Sequence, residues 1–218
     1  PHGFCAIKFS TLPHSVRRLL QAASPARSRA QAPLPNGSSP ASKGSATVAA
    51  FEIRRKNIAS QDPSNPNLTV LVGEQSSKGI ELSAGIRPTP QWQLQGNLSL
   101  IRARYENFVQ GGVSRAGNVS QLVPQQVANL WASYAITPTV TASAGVRHVG
   151  KVYGNAANTK FWPSYTLLDL GLAWKVNKTT TLTGRVRNAT DRIYAAETRD
   201  QVYLGAPRTL DVTLHTAF

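Results

Sequence analysis

The sequence predicts an all-β chain: an antiparallel transmembrane β-barrel portion of about eight strands, preceded by a disordered N-terminal segment. Three observations carry this reading. After Gly44 apolar and polar residues alternate in run after run, the period-2 pattern of strands with one apolar face. Most of these runs are twelve residues or more, longer than the five or six usual in soluble sheets and long enough to cross a bilayer when tilted. Short turns also alternate with long loops, as in a barrel whose two ends face different compartments. No stretch approaches the roughly eighteen consecutive apolar residues of a transmembrane helix. The mean hydropathy of -0.24 agrees instead with strands in which polar residues dilute apolar ones.

In chain order, residues 1–43 differ from all that follows. Pro, Ser, Ala and Arg cluster there, as in Ser24-Pro25-Ala26-Arg27 and Pro33-Leu34-Pro35-Asn36-Gly37. Such composition buries too little apolar surface to offset chain entropy, so the segment is expected to be disordered, with at most a short helix near Ser15 to Ala23. It carries Lys8, Arg17, Arg18, Arg27, Arg29 and Lys43, and the first acidic residue is Glu52. The chain opens on Pro1, contains no Met, and lacks a signal-peptide pattern in residues 1–50, which is what a fragment would show.

Residues 44–218 form the second region, with strands expected at Gly44 to Asn57, Ser76 to Arg87, Gln91 to Glu106, Pro124 to Ile136, Val140 to Tyr153, Ser164 to Val176, Thr180 to Tyr194 and Gly205 to Phe218. Trp92, Leu94, Leu98 and Leu100 share one parity; Gln91, Gln93, Gln95, Asn97 and Ser99 share the other. Leu168, Leu170, Leu172, Trp174 and Val176 form another apolar row, and Leu182 and Val186 alternate with Thr181, Thr183, Arg185 and Arg187. In the last segment Leu210, Val212, Leu214 and Phe218 oppose Thr209, Asp211, Thr213 and His215, with the terminal aromatic that a barrel's closing seam calls for.

Short turns are expected at Pro88-Thr89-Pro90, Thr137-Pro138-Thr139 and Asn177-Lys178-Thr179, and long loops near residues 58–75, 107–123, 154–163 and 195–204. Counted back from a periplasmic C-terminus, the turns are periplasmic and the loops extracellular. Trp92, Tyr105, Tyr134, Tyr153, Trp174 and Tyr194 lie near strand ends, as interfacial girdles require.

The formal net charge of +14 allows attraction to nucleic acid or anionic lipid. No helix-turn-helix, zinc spacing or RNA-recognition signature accompanies it, so no nucleic-acid partner is expected. An enzyme is not expected either. His2, His14, His148 and His215 are scattered, no nucleophile elbow or phosphate loop is present, and Cys5 has no partner for a disulfide. No catalytic residue, metal site or cofactor site is assigned.

One stretch is more specific. Asn188, Asp191, Arg192 and Tyr194 in Arg187-Asn188-Ala189-Thr190-Asp191-Arg192-Ile193-Tyr194 are followed by Tyr203-Leu204-Gly205-Ala206-Pro207-Arg208 and the final Phe218. This resembles the C-terminal motif of TonB-dependent outer-membrane receptors, N-L-F-D-(K/R)-x-Y, then Y-G-x-P-R, then a last strand ending in Phe or Trp. Ala189 and Thr190 replace the Leu-Phe pair, and Leu204 separates Tyr203 from Gly205. Gly145-Val146-Arg147-His148-Val149-Gly150, Tyr153 to Thr159, Pro163-Ser164-Tyr165-Thr166, Gly73 to Leu82 and Val123-Pro124 are similar to the ferric-siderophore branch of that family. The likeness covers about Gly44 to Phe218, and residues 1–43 fall outside it.

The resemblance implies the last eight strands of a larger, twenty-two-stranded barrel in the Gram-negative outer membrane. It implies lipid on the outer face, ferric siderophore as ligand, and the barrel-assembly machinery as a partner through the C-terminal strand. TonB is a partner only of the intact family member, because the plug domain and the TonB-engaging segment are missing from this stretch; the chain alone is then not competent for uptake. Aromatics and cations suit a flat, often anionic chelate, so Tyr153, Phe161, Trp162, Arg185, Arg187 and Tyr203 are the candidate substrate contacts. Girdle or loop packing for the aromatics and lumen hydration for the arginines compete with that role. The siderophore holds the iron, so no metal ligand is expected from the chain. The alternative function is an autonomous eight-stranded barrel acting as an adhesin or structural protein, eight being the smallest common barrel.

Overall fold

The computed structural model describes residues 43–62, 64–65, 67–198 and 202–217. Lys43 aside, the segment 1–43 with its short helix lies outside the described residues, as does Phe218. All regular structure described is β. The strands are β1 (Lys43–Gln61), β2 (Thr69–Arg87), β3 (Trp92–Asn107), β4 (Val109–Gln110), β5 (Val113–Ser114), β6 (Gln126–Ala135) and β7 (Val140–Val149). They continue with β8 (Val152–Tyr153), β9 (Phe161–Trp162), β10 (Tyr165–Lys175), β11 (Thr180–Arg187), β12 (Ala195–Thr198), β13 (Val202–Leu204) and β14 (Thr209–Thr216).

Eight long strands form one antiparallel meander in the order β1-β2-β3-β6-β7-β10-β11-β14, each paired with the next long strand in sequence. These are the eight expected strands. Among the described residues the sheet is open, with β1 and β14 each paired on one side. The pairs β4-β5, β8-β9 and β12-β13 are small hairpins inside the long loops, where the sequence predicts loops alone.

Register explains why the alternation was legible. One cross-strand row runs Ile86, Leu94, Ala132, Ala144, Leu170, Val186, Leu210, and the row above it runs Ala46, Ala84, Gly96, Leu130, Val146, Leu168. Every member is apolar or Gly, and the larger ones are bare: Leu130 is 57% and Leu210 69% exposed. A sheet face with that much exposed aliphatic surface is stable against lipid, not water. On β3 the outward row Trp92 to Leu100 covers about 27 Å along the strand at roughly 3.4 Å per residue. With a tilt near 40° that is about 20 Å of bilayer, close to the ~25 Å apolar band of outer-membrane barrels.

The opposite face is polar along most of its length. It forms a hollow of about 520 Å³ lined by Gln95, Asn97, Asn129, Trp131, Arg147 and Asp169, among others. Toward the loop end the same inner parity turns apolar. Ala103, Tyr105, Val127, Val149 and Leu167 are buried there together with the loop residues Ser120, Val123 and Ala156. The packed core is therefore small and sits where strands meet loops.

The turn end is built by side-chain caps. Thr89 Oγ1 accepts from the Trp92 amide, Thr137 Oγ1 from Thr139 and Val140, and Asn177 Oδ1 from Thr179 and Thr180. Such Asx and Ser/Thr turns satisfy local amides and reverse the chain tightly. Trp92 and Tyr134 are opposite each other at this end with ring centroids 4.8 Å apart, and with Trp174 they make an exposed outward aromatic set. Tyr105, Tyr153 and Tyr194 are not girdle residues. Tyr105 is on the inner parity, buried, and stacked at 4.7 Å on Phe108, while Tyr153 and Tyr194 belong to the loops.

Several strand ends differ from expectation. β2 starts at Thr69, not Ser76, because pairing with β1 resumes beyond a register shift between Arg55 and Ile58, where Asn57 has φ 56°. The bulge breaks the alternation, so periodicity could not follow the strand through it. β7 stops at Val149, and β11 stops at Arg187, where Asn188 has φ 48° and turns the chain away.

Candidate functional site

The long loops gather at one end of the sheet, and hydrogen bonds between them give that end a fixed shape. Asn118 Nδ2 donates to the Ala156 carbonyl at 2.8 Å, and Asn158 accepts from the Val119 amide and donates to its carbonyl, both at 2.8 Å. The Leu122 amide donates to the Tyr153 carbonyl at 2.8 Å. On the other side Ser60 Oγ accepts from the Val109 amide at 2.8 Å, and Gln61 Oε1 from Gly112 at 2.9 Å. The loop between β3 and β6 is thus tied to both neighbours.

On this platform the β8-β9 hairpin sets Tyr153 opposite Phe161 and Val152 opposite Trp162. Lys151 Nζ donates to the Tyr153 hydroxyl at 2.9 Å and lies 4.6 Å from the Tyr153 ring centroid and 5.3 Å from that of Phe161. A cation within about 6 Å of an aromatic face is attracted by the ring quadrupole. Phe161 is 57% exposed, so the cluster presents a positive charge and an open aromatic edge to the outside. Trp162 is committed otherwise. Its six-membered ring occupies the space a Cβ on Gly154 would need, so it packs on its own loop's backbone.

Arg185 and Arg187 lie apart from that cluster, on the inner face of β11. Arg185 is opposite Gly171 and Asp211 in the register and forms no ion pair among the described residues. Arg187 donates from Nε to Asp211 Oδ2 at 2.7 Å. Tyr203 stands on the separate β12-β13 hairpin, 56% exposed. Of the six candidates, the structure groups Tyr153, Phe161 and Trp162, places Arg185 and Arg187 together elsewhere, and leaves Tyr203 on its own hairpin. Lys151 was missed by sequence reasoning. Its proximity to Tyr153, two residues on, was visible, but its reach to Phe161 depends on the hairpin.

The motif residues form a clasp between the end of β11 and the start of β14. Asn188 is 3% exposed. Its Nδ2 donates to the Arg192 carbonyl at 2.9 Å and the Ala206 carbonyl at 3.1 Å, its Oδ1 accepts from the Arg192 amide at 2.9 Å, and its own amide donates to Asp169 Oδ1 at 2.8 Å. Asp191 Oδ1 accepts from the Arg208 amide at 2.8 Å. Asn188 and Asp191 both have positive φ, 48° and 53°, which Asn and Asp tolerate better than other side chains. The Gly205 amide donates to the Tyr194 carbonyl at 2.9 Å, and the Tyr194 ring fills the place of a Gly205 Cβ. Tyr194 in turn meets Tyr165 of β10 at 4.6 Å. Pro207 bridges Ala206 and Arg208 in this clasp, with its carbonyl accepting from Thr209 Oγ1. The side chains of Asn188 and Asp191 are thus turned onto backbone groups.

Among the described residues no group of three or more His, Cys, Asp or Glu could hold a metal ion.

The TonB dependent receptor-like, beta-barrel family matches residues 38–189 of the chain. The probable TonB-dependent siderophore receptor PiuA of Acinetobacter baumannii is 32% identical over 158 residues, 68% of this chain and 21% of that protein. The metal-pseudopaline receptor CntO of Pseudomonas aeruginosa is 32% identical over 178 residues, 77% of this chain and 24% of that protein. Among solved structures, the siderophore receptor PiuA from A. baumannii superposes with a TM-score of 0.70 at 26% identity over 79% of this chain and 26% of its own. BauA, the ferric preacinetobactin receptor of the same organism, gives 0.68 at 31% identity over 78% and 27%. The chain spans roughly a fifth to a quarter of the length of these relatives. An open antiparallel meander with one lipid-type face, matched over most of its length to such barrels, belongs to the TonB-dependent receptors, as part of their β-barrel domain.

Proposed function

We propose that this chain is the wall and outer-loop portion of an outer-membrane receptor that takes up a ferric siderophore, working only with further strands, a plug and a TonB-engaging segment. The observation that carries the reading is the Lys151, Tyr153, Phe161 cluster, held at the loop end of a sheet whose outward face is lipid-like. A cation beside two neighbouring aromatic rings suits a flat, anionic chelate. Relatives carrying siderophore, ferrioxamine and metal-pseudopaline receptor names support the ligand class. In this reading the loop end is extracellular and the turn end periplasmic. Lipid covers the outward face, and β14 is the strand offered to the assembly machinery. Tyr153, Phe161, Arg185, Arg187 and Tyr203 contact the ligand on its way through, Trp162 shapes the loop, and no catalytic step is involved.

The test uses a completed barrel, the full chain co-produced with A. baumannii PiuA lacking its own matching C-terminal quarter. This assembly should restore outer-membrane insertion and bind ferric siderophore. Lys151→Ala should weaken binding about two- to fivefold, the effect of losing one exposed positive charge opposite an anionic ligand, without lowering the yield of assembled barrel. Unchanged affinity in Lys151→Ala and Phe161→Ala together would remove the β8-β9 hairpin from the ligand site.

A further inference from the structure

The β8-β9 hairpin consists of two rungs, Val152 with Trp162 and Tyr153 with Phe161. So short a hairpin does not hold its own place in water, and the Lys151, Tyr153 and Phe161 cluster rides on it. Residues 154–160 between its strands are closed on themselves by Asn155, whose Oδ1 accepts from the Thr159 and Lys160 amides at 3.0 and 3.1 Å. Two side-chain amides fasten this closed loop to its neighbour. Asn158 Oδ1 accepts from the Val119 amide and its Nδ2 donates to the Val119 carbonyl, both at 2.8 Å, so one side chain completes a rung of the kind that joins two strands. Asn118 Nδ2 donates at 2.8 Å to the carbonyl of Ala156, a residue 1% exposed. Residues 118–120 are in turn rooted in the barrel wall. The Tyr105 amide donates to the Asn118 carbonyl and the Ser120 amide to the Ala103 carbonyl, both at 3.0 Å, and Val119 bridges Arg104 of β3.

We infer that Asn118 and Asn158 are positioning residues for ligand binding: they clamp the β8-β9 hairpin to β3 so that Lys151 and Phe161 meet the chelate already in place. Both amides bond outside their own loop, across 38 and 39 residues of chain, which a residue needed only for a local turn does not do. Asn158 has φ 58°, and Gly would serve that turn as well, so the turn alone does not call for its amide. The energetic consequence is on the ligand's side. A clamped hairpin is ordered before binding, whereas a released one must be ordered by the ligand and binds in proportion to the time it spends in place. A hairpin in place about a quarter of the time weakens apparent affinity about fourfold.

This role rests on the receptor reading proposed above, and its test separates the two. The completed barrel is titrated with a ferric catecholate and a ferric hydroxamate chelate, and whichever binds is carried into the variants. Asn118→Ala with Asn158→Gly removes both amides and leaves the left-handed turn unstrained. The expected result is affinity about fourfold weaker, with the yield and urea midpoint of the barrel unchanged. Hydrogen exchange of the amides in residues 152–162 should quicken in the double variant and slow again when the chelate is bound. In a background of Lys151→Ala with Phe161→Ala, removing the two amides should have no further effect on affinity, because nothing is left for them to position. Unchanged affinity in the double variant overturns the positioning role while leaving the receptor reading intact. An equal loss with and without Lys151 and Phe161 shows that the amides act elsewhere, and overturns it too. Binding of neither chelate by the unsubstituted barrel overturns the receptor reading and this role with it.

Discussion

Asn188 shows what a recognisable motif is for. The pattern of Asn, Asp, Arg, Tyr, then Gly, Pro and Arg was legible as letters, and its spacing pointed to the end of a receptor barrel. Its task was not legible, because it depends on two chain segments meeting. One buried amide satisfies three backbone groups in residues 192 and 206 while its own amide is bound by Asp169 on β10. Replacing Asn188 by Ala strands those groups and leaves a non-Gly side chain at φ 48°. The completed barrel should lose about 2–4 kcal/mol, read from its urea unfolding midpoint. Arg192→Ala should change the same midpoint by no more than about 0.5 kcal/mol, since only the backbone of residue 192 enters the clasp. If both substitutions cost alike, the motif stabilises through the arginine side chain and the clasp account is wrong.

Among the elements, strands were legible and loop hairpins were not. Ten or more alternating residues declare a strand even when neither face is a water-excluded core. A two-residue pairing such as Val152–Tyr153 with Phe161–Trp162 has no period to detect and exists because the loops around it are tied down. The same limit hid Lys151 and the extension of β2 past the bulge near Asn57. Face assignment is the strongest claim at this scale, and β14 offers a sharp check. Val212 is opposite Gly184 on the outward apolar face and Thr213 is opposite Thr183 on the inner face. Val212→Arg should destabilise the completed barrel by about 2–4 kcal/mol, with Thr213→Arg close to neutral. Urea titration of both variants in micelles reads the difference, and the reverse order would mean the sheet faces have been exchanged.

For the whole molecule, the decisive fact is that among the described residues eight long strands make one sheet with β1 and β14 at its edges. In lipid each unsatisfied backbone group on an edge costs several kcal/mol, so an open sheet cannot persist there by itself. Closing the eight strands on themselves would need a tilt and stagger different from those of the wide walls on which this sheet superposes. The autonomous small barrel therefore gains no support from β1 or β14, which remain unpaired with each other. The fold was readable from alternation and loop asymmetry. That the described strands leave β1 and β14 at the edges is visible only in the pairing. Heat-modifiability on a gel tests it most directly, with unboiled and boiled samples of the chain alone compared with the chain co-produced with the truncated PiuA. A compact, fast-migrating band that appears only when both pieces are present is the predicted result; a compact band from the chain alone would contradict it.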